Sequence, residues 1–339
     1  MKRLIRILPV IVIMLTSCVH EWPTSVPTDL SLKLVFDRSI TPYDTVTFDT
    51  RTRAAESFDV RYVIEAFRNK PSGVDYYRDA AARMVCTKDD VLNLDHEVRM
   101  TVPDEGKYVI KVWADFVEAG SQEHRFYNTD NFGEITIHAH EGNSEYRDSY
   151  IGTTEIEVIR YGSEVPVVSG TVNMSRPHGK FQIISTDLND FVTKETKLMR
   201  ERLVQSGMDP TKIPETIDLD NYVVRVMYNG FMPSAFNMHT GRPNDSSTGV
   251  YFDSTISALS ENEALLGFDY VLAQEGDASV TLAVVIYDKA GNELSATDNV
   301  SVPLKRSMLT TIKGNFLIQE SGGGVSINPD FDGEFNLEI

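Results

Sequence analysis

Cysteine is almost missing from this chain: its 339 residues hold two, Cys18 and Cys86. That excludes a disulfide framework and a thiolate metal cluster. Cys86 follows Met84 and Val85, a setting for a small buried side chain more than for a nucleophile. Basic charge is also short, with 32 Lys and Arg against 50 Asp and Glu, a formal net charge of -18. Taking away 1–17 removes three basic residues and no acids, leaving about -21. Such a surface repels phosphate backbones and anionic lipid, so nucleic acid is not a partner. After residue 15 no apolar run is long enough to span a bilayer. No serine sits in a nucleophile elbow, and Gly322-Gly-Gly324 opens no helix, so it is a turn and not a phosphate loop. No catalytic constellation, metal site or cofactor site is expected, and no enzymatic role.

What is present begins at the amino terminus. Lys2, Arg3 and Arg6 precede an apolar run from Ile7 to Leu15, interrupted by Pro9, the layout of a secretory signal. The ending Leu15-Thr16-Ser17-Cys18 resembles a bacterial lipobox, in which the cysteine is lipidated and becomes the first mature residue. The alternatives are an ordinary cleaved signal and a one-pass anchor, but the run is short for a span. We therefore expect a signal peptide over 1–17 and a lipidated tether over 18–29, where two prolines and several hydroxyls favour an extended linker.

At Leu30 the pattern becomes that of strands. Leu30, Leu32, Leu34 and Phe36 alternate with polar neighbours, as do residues 58–67 and 93–102; 108–116 is a strongly β-prone run, and 135–140 and 156–159 are read as further strands. About six strands before residue 161 suit a sandwich over 30–161. The stretch 161–169 places a boundary, and a second β unit is expected over 168–339. Its strands are read at 168–174, 180–184, 222–228, 267–273, 279–287, 300–304, 312–318 and 333–339. One helix is expected over 193–207, with Leu198, Met199, Arg202 and Leu203 at helical spacing and Gly207 as its stop. The chain is mostly β. Its last strand alternates Phe335, Leu337 and Ile339 with polar residues, free to close its own sheet or to enter a neighbour's groove; closure is favoured.

His138 and His140 would share a face of a strand, but a metal needs a third ligand, so an exposed strand edge is preferred. Asn128–Glu134 and Asp330–Glu334 read as turns and not calcium loops. Arg51 and Arg53 lie in a polar loop open to an arginine-specific protease. On physics alone that loop is simply solvated.

The stretches Trp113-Ala-Asp115, Tyr127-Asn-Thr-Asp130-Asn-Phe132 and Tyr146-Arg-Asp-Ser149 resemble fimbrillin-type surface lipoproteins of Bacteroidales. So do Ser175-Arg-Pro177, Gly230-Phe-Met-Pro-Ser-Ala-Phe-Asn237, Val302-Pro-Leu-Lys-Arg306 with Thr310–Leu317, and Ile327–Asp332. The resemblance implies two tandem transthyretin-like, Greek-key β-sandwich domains with one short helix in the second. It implies a non-enzymatic fimbrial subunit, anchor or accessory adhesin, held at the outer membrane by lipid on Cys18 and associating with other subunits through strands. Arg51 or Arg53 matches the position where a protease removes the first strand of such subunits; an anchor keeps both lipid and strand. Only Glu21 follows Cys18 closely, where surface lipoproteins of this group often carry an acidic cluster, so either leaflet stays open. Asp44-Thr-Val46 and Asp253-Ser-Thr255 are similar to O-glycosylation sites of these bacteria. A non-polymerising glycan- or peptide-binding lipoprotein is the alternative, with Trp22, Tyr76, Tyr77 and Tyr127 as stacking candidates.

Overall fold

The computed structural model describes residues 27–38, 58–70, 75–91, 93–159, 167–318 and, for the backbone alone, 335–338. In chain order the first half contains β1 (Thr28–Phe36), β2 (Phe58–Arg68), β3 (Ala82–Lys88), β4 (His96–Val102) and β5 (Gly106–Glu118). Then come β6 (Tyr127–Asn128), β7 (Ile135–Ile137) and β8 (Tyr150–Val158). The tether expected to reach residue 29 therefore ends earlier, because Thr28 already pairs with Val102. His138 and His140 lie beyond β7 and not on a strand face.

β9 (Val168–Ser175) corrects the expected boundary. It pairs in parallel with β1, from Leu30↔Val168 to Phe36↔Met174, and touches β8 at Ile151↔Ser175 and Gly152↔Met174. Val168 thus opens the last strand of the first half's sheet, ordered β3-β2-β5-β8-β9-β1-β4. The short β8–β9 pairing lets the sheet fold over, and β1, β4 and β9 face β2, β5 and β8 across one core. Gly152 permits the fold: a Cβ there would sit 2.5 Å from both Met174 Sδ and Val172 Cγ1.

β2 and β5 are buried on both faces, which their near-continuous apolar runs require. Tyr62, Ile64 and Ile110 face the core shared with β1, while Trp113, on the opposite face, packs against Tyr127 and Phe236. Phe236 belongs to the second half, so the two halves share a packed layer.

The second half opens with β10 (His178–Ser185) and α1 (Leu188–Gln205). The helix begins a turn before the expected residue 193, after Asp187, and its buried face is Leu188, Phe191 and Glu195 near that start. Strands β11 (Tyr222–Tyr228), β12 (Met232–Asn237), β13 (Arg242–Ser247), β14 (Tyr251–Ser254) and β15 (Ser257–Ala258) follow. After them come β16 (Ala264–Leu272), β17 (Ala278–Asp288), β18 (Glu293–Leu304), β19 (Leu309–Gly314) and β20 (Phe335–Glu338).

The sheets β15-β16-β10-β19-β20 and β14-β11-β17-β18 enclose a second core of Phe181, Ile183, Val224, Val226, Leu282 and Val284. α1 joins it through Phe191, whose ring meets Tyr222 edge-on at 5.1 Å. A small sheet, β13-β12-β7-β6, crosses between the halves through Ala235↔Thr136 and Phe236↔Ile135.

Candidate functional site

Two places in this fold join otherwise separate parts of the chain: the slot that β1 fills, and the junction between the halves.

β1 lies between β4, antiparallel from Thr28↔Val102 to Leu34↔His96, and β9, parallel along nearly its whole length. Strand period puts Leu30, Leu32, Leu34 and Phe36 on one face, and all four are buried. Phe36 meets Tyr150 edge-on at 4.9 Å and Tyr62 at 6.2 Å. Gly170, whose Cβ would come 2.7 Å from Ile156 Cδ1, lets β9 lie flat against that layer. On the solvent face, Thr101 Oγ1 donates to Asp29 at 2.7 Å and Ser31 Oγ donates to Glu97 at 2.8 Å. Asp95 accepts from the Phe36 backbone N–H at 3.0 Å. β1 is thus a central strand supplied by the amino terminus.

The junction gathers charges from distant stretches. Arg176 Nε lies 2.9 Å from both oxygens of Asp148, and its Nη2 donates to Tyr150 Oη at 2.6 Å. Beside them Ser149 N–H donates to His178 Nε2 at 2.9 Å. Burial, followed by the guanidiniums of Arg176 and Arg147, holds His178 far below the usual imidazole range. Next to it, Asp269 takes Arg147, His140 Nε2 at 2.8 Å and Tyr228 Oη at 2.6 Å. Burial would raise the Asp269 carboxyl, but Arg147, His140 and Tyr228 outweigh it and keep it low. Glu145 takes Lys180 Nζ at 2.5 Å and Tyr270 Oη, and burial raises its carboxyl despite them. Arg147 Nε and Nη2, Arg176 Nη1 and His178 Nδ1 are buried with no hydrogen-bond partner among the described residues.

Other contacts bind the same seam. Lys111 Nζ donates to Met238 O at 2.8 Å, and burial lowers its ammonium. Arg306 lies over the Phe236 ring at 5.1 Å and donates to Ala273 O at 2.7 Å. In the first half, Arg61 and Asp115 form a buried ion pair at 2.6 Å, with Trp113 Nε1 donating to the same carboxyl at 3.2 Å.

Sequence motifs widely separated along the chain therefore meet here: Trp113-Ala-Asp115, Tyr146-Arg-Asp-Ser149, Ser175-Arg-Pro177 and Arg306 all supply junction side chains. The pairing of Asp148 with Arg176, and of Arg147 with Asp269, carried no signal in the sequence, where charged residues are too common to match. Nothing in this arrangement pairs a nucleophile with a base; the charges are spent on each other.

Several expected site residues lie elsewhere. Cys18, Arg51, Arg53 and Ile339 fall outside the described residues, as do Trp22, Asp44–Val46 and Asp330–Glu334. Phe335 and Leu337 lie on β20, whose backbone pairs in parallel with β19 at Thr310↔Phe335 and Ile312↔Leu337. Cys86 is half-buried on β3, with its thiol pushed up by burial. Among the described residues no group of three His, Cys, Asp or Glu could hold a metal. Residues 128–134 form a turn stitched by Asn128 and Asn131. Of the aromatic candidates, Tyr127 is core, Tyr76 donates to Glu155 at 2.9 Å, and Tyr77 is exposed. No described helix is long and apolar enough to cross a membrane.

The fold is mostly β, built as several sheets with one α-helix among the described residues. Residues 23–339 match the family described as a family of unknown function (DUF6562), and the chain belongs to it. No curated protein matches the sequence. Among solved structures it is similar to the fimbrial anchor protein Mfa2 from Porphyromonas gingivalis: 12% identity over 80% of this chain and 82% of that one, TM-score 0.38. It is also similar to a fimbrial assembly protein from Parabacteroides distasonis ATCC 8503: 12% identity over 86% and 92%, TM-score 0.38.

Proposed function

We propose that this chain is a non-enzymatic fimbrial or cell-surface protein, held at the outer membrane by lipid on Cys18 and joined to other subunits by strand exchange. Its halves are read as two tandem β-sandwiches, transthyretin-like in order, changing sheet at Arg176. The observation that carries this reading is the place of β1. Its four apolar side chains contribute about 6–12 kcal/mol in total, at roughly 1.5–3 kcal/mol each. That gross gain, before the entropy of ordering the strand is subtracted, is as large as the net stability of a whole domain, about 5–15 kcal/mol. A β1 released by cleavage after Arg51 or Arg53 leaves a slot too costly to stand empty, which a partner strand of the same alternation would fill. Phe335, Leu337 and Ile339 have that alternation. Where the strand is kept, the protein acts as an anchor.

The test uses intact cells. Palmitate labelling is expected in the native chain and lost on Cys18→Ser. Cross-linking in the envelope is expected to recover the chain bound to other fimbrial subunits. A chain recovered only as a monomer, whether intact and labelled or cleaved and so stripped of its label, would sink the assembly role.

The alternative reading, a glycan-binding lipoprotein, has one observation in its favour. On the outer face of the second half, Arg225 pairs with Asp253 at 2.7 Å beneath Tyr251, whose ring centroid is 4.6 Å away and which is 53% exposed. Binding on a glycan array that vanishes in Tyr251→Ala would favour it.

A further inference from the structure

We propose that β1 is a mechanical clamp: tension between the amino-terminal tether and the second half loads this strand in shear between β4 and β9. The inference rests on the reading that the chain is tethered at its amino terminus.

The topology carries it. β1 and β9 run parallel, so the amino end of β1 lies beside Val168 and its carboxyl end beside Met174. The chain leaves β9 at Ser175 and enters the second half through Arg176, Pro177 and His178. That exit is fixed by Arg176 on Asp148 and by Ala273 N–H donating to Pro177 O at 2.9 Å. A pull between tether and second half therefore enters at one end of the parallel pair and leaves at the other. The force runs along the strands, across the evenly spaced, slanted hydrogen bonds of a parallel pair, so those bonds share the load and must give way together.

The β4 side is loaded the same way and carries extra ties. Asp29 to Thr101, Ser31 to Glu97 and the Phe36 N–H to Asp95 hold β1 near its start, its middle and its end. Sliding β1 by one residue would also turn Leu30, Leu32 and Leu34 out of the core. The opposite pull, from the carboxyl end of β1, is different. Asp37 N–H donates to Met174 O at 2.8 Å, beside the exit, so force applied there opens the pairing one bond at a time.

Single-molecule pulling separates these cases. The mature chain from residue 18, made without lipid and carrying Cys86→Ser, is held by Cys18 and by a second thiol from Glu275→Cys. Glu275 has a side chain 92% exposed and lies near Pro177 in the fold. Extraction of β1 frees residues 28–57, about 100 Å of extended chain at 3.3–3.6 Å per residue, less the distance its ends already span. The comparison chain carries Cys18→Ser and Arg38→Cys, and peeling β1 there draws out 39–57, about 65 Å. The expected result is a rupture force several-fold higher for the residue-18 pull. Equal forces, or a weaker residue-18 pull, overturn the clamp. Failure of the tether reading would show instead as absent palmitate labelling in cells, which this measurement does not touch.

Discussion

Arg176 and Asp148, 28 residues apart, meet through two 2.9 Å contacts from one guanidinium nitrogen, with both side chains wholly buried. The pair sits where the chain passes from one sheet to the next. Arg176→Ala leaves the Asp148 carboxylate with its guanidinium partner gone. The expected loss is about 3–5 kcal/mol, read from the urea midpoint at constant slope. The double variant Arg176→Met, Asp148→Leu is expected to recover part of it, since the isolated charge is then gone. A loss below about 1 kcal/mol in the single variant would mean that water reaches the site.

His178 sets an acid sensitivity. Its imidazole is held far below its ordinary range in the fold and returns to about 6.5 when unfolded. The unfolded chain therefore binds more protons below about pH 6.5, and stability falls as pH drops through that point. The expected slope from this group is about 1.4 kcal/mol per pH unit. His96 and His239, lowered mainly by burial, act in the same direction. Urea titrations at pH 7, 6 and 5 should show the decline, and His178→Gln, which can still accept from Ser149, should flatten it. An unchanged slope would place the sensitivity on other groups.

Gly152→Ala would put a methyl group into Met174 and Val172 where the sheet folds over. Overpacking of this kind costs about 1–3 kcal/mol. Because β9 borders β1, hydrogen exchange should rise first along 28–36 and 168–175. Uniform loss across both halves would contradict a local effect.

The halves are expected to unfold together, as they share the β7–β12 pairing and the Asp269 cluster. Phe236→Ala should cost about 3–5 kcal/mol and split the single transition in two, checked by calorimetry. Two transitions already in the native chain would show that the seam is weak.

The strands with strict alternation or long β-prone runs were legible from sequence: β1, β2, β5 and β11 fall where period and residue type place them. β3 was missed because Ala82–Lys88 is a sheet-edge strand of middling burial, with no alternation to read. β9 is legible as a strand, but its pairing with β1 is not, since pairing partners leave no local trace. The early start of α1 is legible in principle, since Leu188, Phe191 and Val192 stand at i, i+3 and i+4 directly after Asp187, but the expected start at residue 193 passes over them. The junction was the least visible part. Arg147, Asp148, Arg176, His178 and Asp269 look like ordinary polar residues until folding removes them from water.

Trp113 lies on that seam, with Tyr127 of the first half at 5.2 Å and Phe236 of the second at 6.3 Å, and its ring is fully buried. The chain has two tryptophans, so Trp22→Phe leaves Trp113 as the one indole, which can be excited apart from the tyrosines. Its emission would stay blue while the halves hold together and move red once solvent enters between them. The protein thus carries a built-in optical gauge of whether its two halves are joined.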